Sequence, residues 1–239
     1  TSDVDTGDNV TVTATTKPNW LSFDGTTLSG TPSNSDVGDH NVVLSATDGS
    51  ATATQSFTIT VTNVNDTPTF TSIPVTSAIE DVAYTYTVAT NDVDVNDTLT
   101  VTATTKPDWL SFDGTTLSGT PSNSDVGDHN VVLSATDGSA TATQSFTITV
   151  TNVNDTPTFT SIPVTSATED VAYTYTVATN DVDTGDNVTV TATTKPDWLS
   201  FSNNVLSGTP SNSDVGDHNV VLTATDGSAT VTQSFTITV

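Results

Sequence analysis

Apolar and polar residues alternate with a period of two in many short runs of this chain. In Phe146-Thr-Ile148-Thr-Val150 every second side chain is apolar, and Tyr84-Thr-Tyr86-Thr-Val88 repeats the pattern. Such alternation sets one face of a pleated strand against a core and the other in water. The runs are bounded by Gly, Pro, Asn and Asp, the residues that turns demand. Over one unit the pattern predicts strands at 69–77 (interrupted by Pro74), 84–88, 99–104, 109–112, 116–118, 130–135 and 145–151. Asp113-Gly114 turns between two of them. No segment shows a helical period. Seven short strands in one small unit predict an all-β fold of seven-stranded Greek-key β-sandwiches.

The unit recurs. Trp20, Trp109 and Trp198 are each followed by Leu-Ser-Phe and stand 89 residues apart, and the same offset links His40, His129 and His218. A fixed period of domain size means a tandem array. The boundaries predicted are 1–64 for a partial repeat lacking its first strands, 65–153 for a complete one, and 154–239 for a third that ends at its last strand. Thr1 aligns with Thr90, so the chain reads as a window onto a longer array. The first repeat is then expected to be completed by preceding residues, or by strands from a neighbouring chain in a polymer. Copies one and two are nearly identical, whereas the third has Ser202-Asn203-Asn204-Val205 in place of Asp113-Gly114-Thr115-Thr116. Trp109 and Phe146 read as anchors between the two sheets.

Composition changes this picture in two ways. A hydrophobic fraction of 33% with a net charge of -25 would ordinarily point toward disorder, but 56 Thr among 239 residues, set in alternation with Val, Ile and Tyr, favour strands. The balance of 28 acidic to 3 basic side chains excludes nucleic acid and anionic membrane surfaces as partners. No run approaches the roughly 18 apolar residues of a spanning helix, so no membrane insertion is expected in this segment. With no Cys there are no disulfides or thiolate nucleophiles. Neither a Ser-His-Asp constellation nor a phosphate loop is recognisable, and the chain is not expected to be an enzyme. The three His read as hydrogen-bonded structural residues.

The acids are grouped. Glu occurs only at Glu80 and Glu169, while Asp clusters in loops such as Asp92-Val-Asp94, Asp137-Gly138 and the connector Asn152-Val-Asn154-Asp155-Thr-Pro157. Carboxylates two residues apart in a loop repel unless a counter-ion joins them. Calcium, which takes six to eight oxygens in flexible geometry, suits Asp, Asn and carbonyl loops best. The alternative is that these residues only form turns on a solvated surface.

The stretch from Ala135-Thr-Asp137-Gly138 through Phe146-Thr-Ile-Thr-Val150 to Asn152-Val-Asn154-Asp155-Thr-Pro157-Thr-Phe159 resembles the end of a cadherin repeat with its Asp-x-Asn-Asp-Asn-x-Pro-x-Phe connector. Pro107-Asp-Trp109-Leu-Ser-Phe112, Leu117-Ser-Gly-Thr-Pro121 and Asp125-Val-Gly127 resemble more narrowly the dystroglycan-type cadherin-like and immunoglobulin-like repeats of large bacterial surface proteins. The resemblance covers all three copies. It implies calcium at the junctions between repeats, and it carries over to individual positions. Between copies one and two these are Asn63, Asn65, Asp66, Asp92, Asp94 and Asp137; between copies two and three, Glu80, Asn152, Asn154, Asp155, Asp181, Asp183 and Asp226. Asp3, Asp5 and Asp48 would serve a preceding junction, and Glu169 matches the early Glu of the third copy. The connector opens with Asn where cadherins usually have Asp, Thr156 replaces the second Asn, and no mid-repeat Asp-Arg-Glu is present. One or two ions per junction are therefore expected rather than three.

The function expected is a non-enzymatic extracellular array, a calcium-rigidified stalk or filament element of a surface adhesin. Adjacent repeats are the first partners, with like chains or a cell-surface glycan or protein beyond them. A carbohydrate- or protein-binding module is the alternative, as is a polymerising subunit completed by a neighbour's strands.

Overall fold

The computed structural model describes residues 1–239 apart from 3, 5, 6, 8 and 96. Strands of three successive units occupy residues 11–61, 69–151 and 158–238. In the second unit Thr100–Thr105, Gly127–Thr136, Thr141–Thr151 and Ser77–Ile79 form one sheet in that order, and Leu110–Phe112, Thr116–Gly119 and Tyr84–Thr87 form the other. Those seven strands are the sandwich that the alternation predicts. Thr69–Phe70 and Thr90–Asn91 add a two-residue ribbon, so the run expected at 69–77 is two separate strands with Pro74 between them. Proline cannot donate to a ladder, and the chain uses it to leave one pairing and enter another.

The long hairpin from Gly127–Thr136 to Thr141–Thr151 runs further than the alternation suggests, because polar Thr and Gln positions on its outer half keep the ladder going. Ser77–Ile79 lies parallel to the end of Thr141–Thr151 and covers that edge. Leu117, Leu133 and Ile148 are fully buried between the sheets. Each contributes roughly 1.5–3 kcal/mol by burial. Trp109 and Phe146 do pack on this core, but only half-buried: Tyr84 stands edge-on to Trp109 at 5.7 Å, and Tyr86 edge-on to Phe146 at 5.6 Å. The aliphatic residues are the anchors, and the large rings close the sides.

The Leu-Ser-Gly of each unit has a steric cause. Gly119 pairs with Leu110 on one side and Tyr84 on the other, and a Cβ there would lie 2.0 Å from the Trp109 carbonyl oxygen. The three histidines are hydrogen-bonded as expected; His129 Nε2 meets the Asp125 carbonyl oxygen at 2.6 Å, and its ring stands edge-on to Trp109. Each Lys is also occupied locally: Lys17, Lys106 and Lys195 donate to the carbonyls of Leu21, Leu110 and Leu199 at 2.5 to 2.6 Å. Among the described residues no helix is long and apolar enough to cross a membrane.

Candidate metal centres at the repeat junctions

Each connector brings together side chains from three places: the repeat before it, the connector itself and the repeat after it. At the first junction the Asp66 amide donates to Asp94 Oδ2 at 2.7 Å, and the Asp94 amide donates to Asp92 Oδ1 at 3.0 Å. Asn65 Nδ2 reaches Asp137 Oδ2 at 3.1 Å. Asn34 of the first repeat donates to Asp66 Oδ2 at 2.6 Å and to Asp94 Oδ1 at 3.2 Å, spanning the joint. The second junction repeats these bonds apart from the one between Asn34 and the connector carboxylate. Asp155 donates to Asp183 Oδ2 at 2.7 Å, the Asp183 amide to Asp181 Oδ1 at 3.0 Å, Asn154 to Asp226 at 3.1 Å, and Asn123 to Asp183 Oδ1 at 2.7 Å.

Five of the residues carried over for the first junction are thus gathered: Asn65, Asp66, Asp92, Asp94 and Asp137. Asn63 is exposed on the connector outside this set of bonds. At the second junction Asn152, Asn154, Asp155, Asp181, Asp183 and Asp226 come together. Glu80 of the second repeat meets the connector rather than the clustered acids. It is only 2% exposed, and its Oε2 accepts from the Val153 amide of the connector at 3.1 Å. Glu169, the same position one repeat later, is exposed, and no connector follows it within residues 1–239. Asp48 holds the turn that follows it through the Ser50 and Ala51 amides, whereas Asp3 and Asp5 lie outside the described residues.

The electrostatics are those of crowded anions. Asp94 and Asp183 are 6% and 5% exposed, a burial that ionised carboxylates tolerate only with compensation. Hydrogen bonds supply part of it: the Asp155 amide, with Asn152 and Asn123, holds Asp183 below the usual carboxylate range. The Ala140 and Ser139 amides do the same for Asp137, and the Ala229 and Ser228 amides for Asp226. Asp97 is pushed up by burial and by the charges of Asp94, Asp137 and Asp92; Asp186 is pushed up by burial and by Asp183, Asp181 and Asp226. One oxygen from each of Asp92, Asp94 and Asp97 lies within 4.8 Å of the others, as does one from each of Asp181, Asp186 and Asp226.

The chemistry of the donor set fits a cation. Among the described residues Asp92 Oδ2 and Asp181 Oδ2 are buried with no hydrogen-bond partner. An orphaned buried carboxylate oxygen costs several kcal/mol by desolvation estimates, and all three lysines are tied to carbonyls elsewhere. The donors are carboxylates and amides, hard oxygens suited to a divalent ion such as calcium and not to a soft metal.

The sequence pattern missed four of these residues. Asp97 and Asp186 follow the Asp-x-Asp pairs and recur at the repeat offset, a signal that was available. Asn34 and Asn123 sit in the short 3-10 turns Asn34–Asp36 and Asn123–Asp125, where Ser-Asn-Ser-Asp reads only as loop.

Stacked β-sandwiches with acid-lined joints define a repeat of the cadherin-like and immunoglobulin-like kind found in surface proteins. The chain belongs to the family described as "Putative Ig domain", whose model matches residues 1–62, 67–151 and 156–239. It is 36% identical over 143 residues to the "Serine-rich adhesin for platelets" of Staphylococcus aureus strain MRSA252, covering 56% of this chain and 10% of that protein. The homologous adhesin of strain MSSA476 matches equally over 6% of its length, so this chain spans a tenth or less of these curated relatives. Among solved structures, the extracellular cadherin domains 1–4 of protocadherin gamma B7 align with a TM-score of 0.49 and 21% identity over 98% of this chain and 66% of that one. A family 107 endo-fucoidan hydrolase aligns over 95% of this chain and 38% of its own, at 28% identity and a TM-score of 0.36.

Proposed function

We propose that this chain is a non-enzymatic, extracellular stalk element whose joints are stiffened by calcium. The observation that carries the reading is the pair of buried oxygens without a hydrogen-bond partner among the described residues, Asp92 Oδ2 and Asp181 Oδ2, each in an acid cluster at a joint. The kinship with a staphylococcal surface adhesin supports the extracellular setting. At the first joint Asp92, Asp94, Asp97 and Asp137 would hold the ion, with Asp66 and Asn65 from the connector. At the second, Asp181, Asp183, Asp186 and Asp226 would do so, with Asp155, Asn154 and Asn152, and with Glu80 beneath the connector.

Bound calcium supplies the positive charge that the clustered carboxylates lack. The protein's own contribution is placement. Amides of Asp66 and Asp155 aim the carboxylates of Asp94 and Asp183, while Asn34 and Asn123 fasten the preceding repeat to the same groups. Because Asn34 and Asn123 of the preceding repeat bind carboxylates of the following one, ordering those carboxylates around an ion would fix the angle between repeats. A ligand bound only by the ordered joint stabilises it by about 2.7 kcal/mol at a hundredfold excess over Kd.

Small-angle scattering in calcium and in chelator tests the proposal. The maximum dimension is expected to increase and its distribution to narrow with calcium, with saturation at one or two ions per joint in titration calorimetry. Superimposable profiles with no heat of binding would refute it.

A further inference from the structure

The second repeat has two unlike sides where its sheets end. On one side lie the edge strand Thr100–Thr105, whose pairing with Gly127–Thr136 is broken by a bulge between Ala103 and Thr105, and the three-residue edge strand Leu110–Phe112. Lys106, Asp108 and Asp113 stand in the same stretch. Bulges, short strands and charges are the means by which proteins keep a sheet edge from meeting another chain. The other side is formed by Ser77–Ile79, Tyr84–Thr87 and the segment that crosses between the sheets: the Ser72 amide donates to the Ala89 carbonyl at 3.3 Å, and the Thr76 carbonyl accepts from Thr149 at 3.0 Å. This side carries almost no charge. Across residues 67–91 only Glu80 and Asp81 are charged, and Glu80 is buried; across 156–180, the same stretch of the third repeat, only Glu169 and Asp170 are.

Apolar side chains stand out from this uncharged side. Ile73 is 88% exposed, Val75, Ile79 and Val82 are exposed by about half, and a groove of about 280 Å³ runs between Val75, Ala78, Ile79 and Val82. The third repeat presents the same features: Ile162 is 87% exposed and Val164 and Val171 are exposed, with Thr168 in place of Ile79. The second repeat has strands of another repeat before and after it, and its exposures match those of the third. A contiguous exposed apolar patch that recurs in this way marks a contact surface.

Charge decides the occupant. With a net charge of -25 and Lys17, Lys106 and Lys195 all tied to carbonyls, two copies of the chain repel over most of their surfaces and can meet closely only where charge is absent. A cationic partner would be drawn to the acid-lined joints instead. Spacing points the same way, since a partner that engages both faces must present its own contacts at the same repeat, and a second copy does so. We propose that the face of Ile73, Val75, Ile79 and Val82, with its counterpart in the third repeat, is a lateral contact between copies of this chain. The face packs on itself across a two-fold, and the apolar side chains leave water together. A few side chains cover well under the roughly 800 Å² per partner of a stable interface. One pair of faces therefore holds weakly, and association grows with the number of repeats engaged.

Sedimentation equilibrium of the full chain, with calcium and with chelator, tests the contact. A reversible dimer is expected in both, about tenfold tighter in 1 M than in 0.1 M sodium chloride, because the screening length falls from about 10 to about 3 Å and the repulsion between copies falls with it. Placing a charge on the face in both repeats, Ile73→Asp with Ile162→Asp, should weaken the dimer about tenfold or more. The same added charge on the bulged edge, Thr102→Asp with Thr191→Asp, should leave it nearly unchanged; all four positions are exposed, so both variants should keep their melting temperatures. A chain that stays monomeric at millimolar concentration in high salt would overturn the proposal. Equal weakening by the two pairs would do so too, by showing that only net charge matters. So would a dimer that chelator abolishes and the isoleucine substitutions spare, which would mean ions bridging the acids of two chains.

Discussion

The two joints are built from the same connector sequence, but they are not equally enclosed. Val153 of the second connector is 48% exposed and Asp155 is half-buried; Val64 of the first is 79% exposed and Asp66 is exposed. The difference traces to what lies behind the connector. Glu80, whose backbone N–H donates to the Thr151 carbonyl, accepts from the Val153 amide through its carboxylate. The position that corresponds to Glu80 in the first repeat lies outside residues 1–239. A joint thus rests on the first strands of the repeat that precedes it as well as on its own loops. In a polypeptide of residues 1–239, calcium should accordingly bind in two classes, with the second joint the tighter, since affinity rises with ligand charge and rigidity.

The largest change is expected from removing the central carboxylate of one joint. Asp94→Ala or Asp183→Ala strips the acceptor from one connector amide and one cross-joint asparagine, and should weaken calcium at that joint about a hundredfold, some 2.8 kcal/mol. Calorimetry of the two variants would show one class vanishing while the other stays, and loss of both classes from a single substitution would break the idea of independent joints. Next in size is Glu80→Gln, which keeps the shape and removes the charge. We expect about tenfold weaker binding in the tighter class alone, making the two joints nearly equivalent. An unchanged isotherm would mean that the glutamate has no part in the difference.

Smaller still is the effect of the asparagine bridges. Asn123→Ala and Asn34→Ala should each cost about 1 kcal/mol or slightly more, since the acceptors are charged, seen as faster exchange of the Asp155 or Asp66 amide without calcium. Asn34→Ala is expected to cost more, because Asn34 serves two carboxylates. The smallest effect provides a reference away from both joints. Asp113 is held below the usual carboxylate range by the Thr115 and Thr116 amides and the Thr115 hydroxyl. A depressed carboxyl lends stability above its unfolded value of 3.8 and loses it as pH falls through the lower folded value. Asp24 behaves likewise, whereas the third repeat turns through Asn203 and Asn204 and has no acid there. Exchange in the turns of repeats one and two should therefore rise below about pH 3.8 while that of repeat three stays flat; a parallel rise in all three would show acid loosening unrelated to this carboxylate.

The repeat, the seven strands and the Asp-x-Asp loops were readable in the sequence because they are local patterns: period-two alternation, turn residues, and a fixed offset of tryptophans. What escaped reading depends on contacts between distant residues. Asn34 meets Asp94 across 60 positions, and Gln144 meets Ser72 across 72. Neither residue type announces a partner, since Asn in a Ser-rich turn and Gln in a strand are ordinary choices. Trp109 was read as a core anchor from its size, but its place at the rim follows from the pairing of Leu110 with Gly119, which points the leucine inward and leaves the indole along the side.

That glycine has a wider consequence. Gly30, Gly119 and Gly208 each lie where a single added carbon would meet a backbone oxygen at 2.0 Å, and a backbone oxygen cannot swing aside as a side-chain tip can. The third repeat has drifted at Ser202 to Val205, close by in the same hairpin, yet it keeps the glycine. Each unit added to such an array therefore brings one position with no room for variation amid many that tolerate it. A library of substitutions in any one repeat should show a permissive turn and, a few residues on, a single unforgiving site.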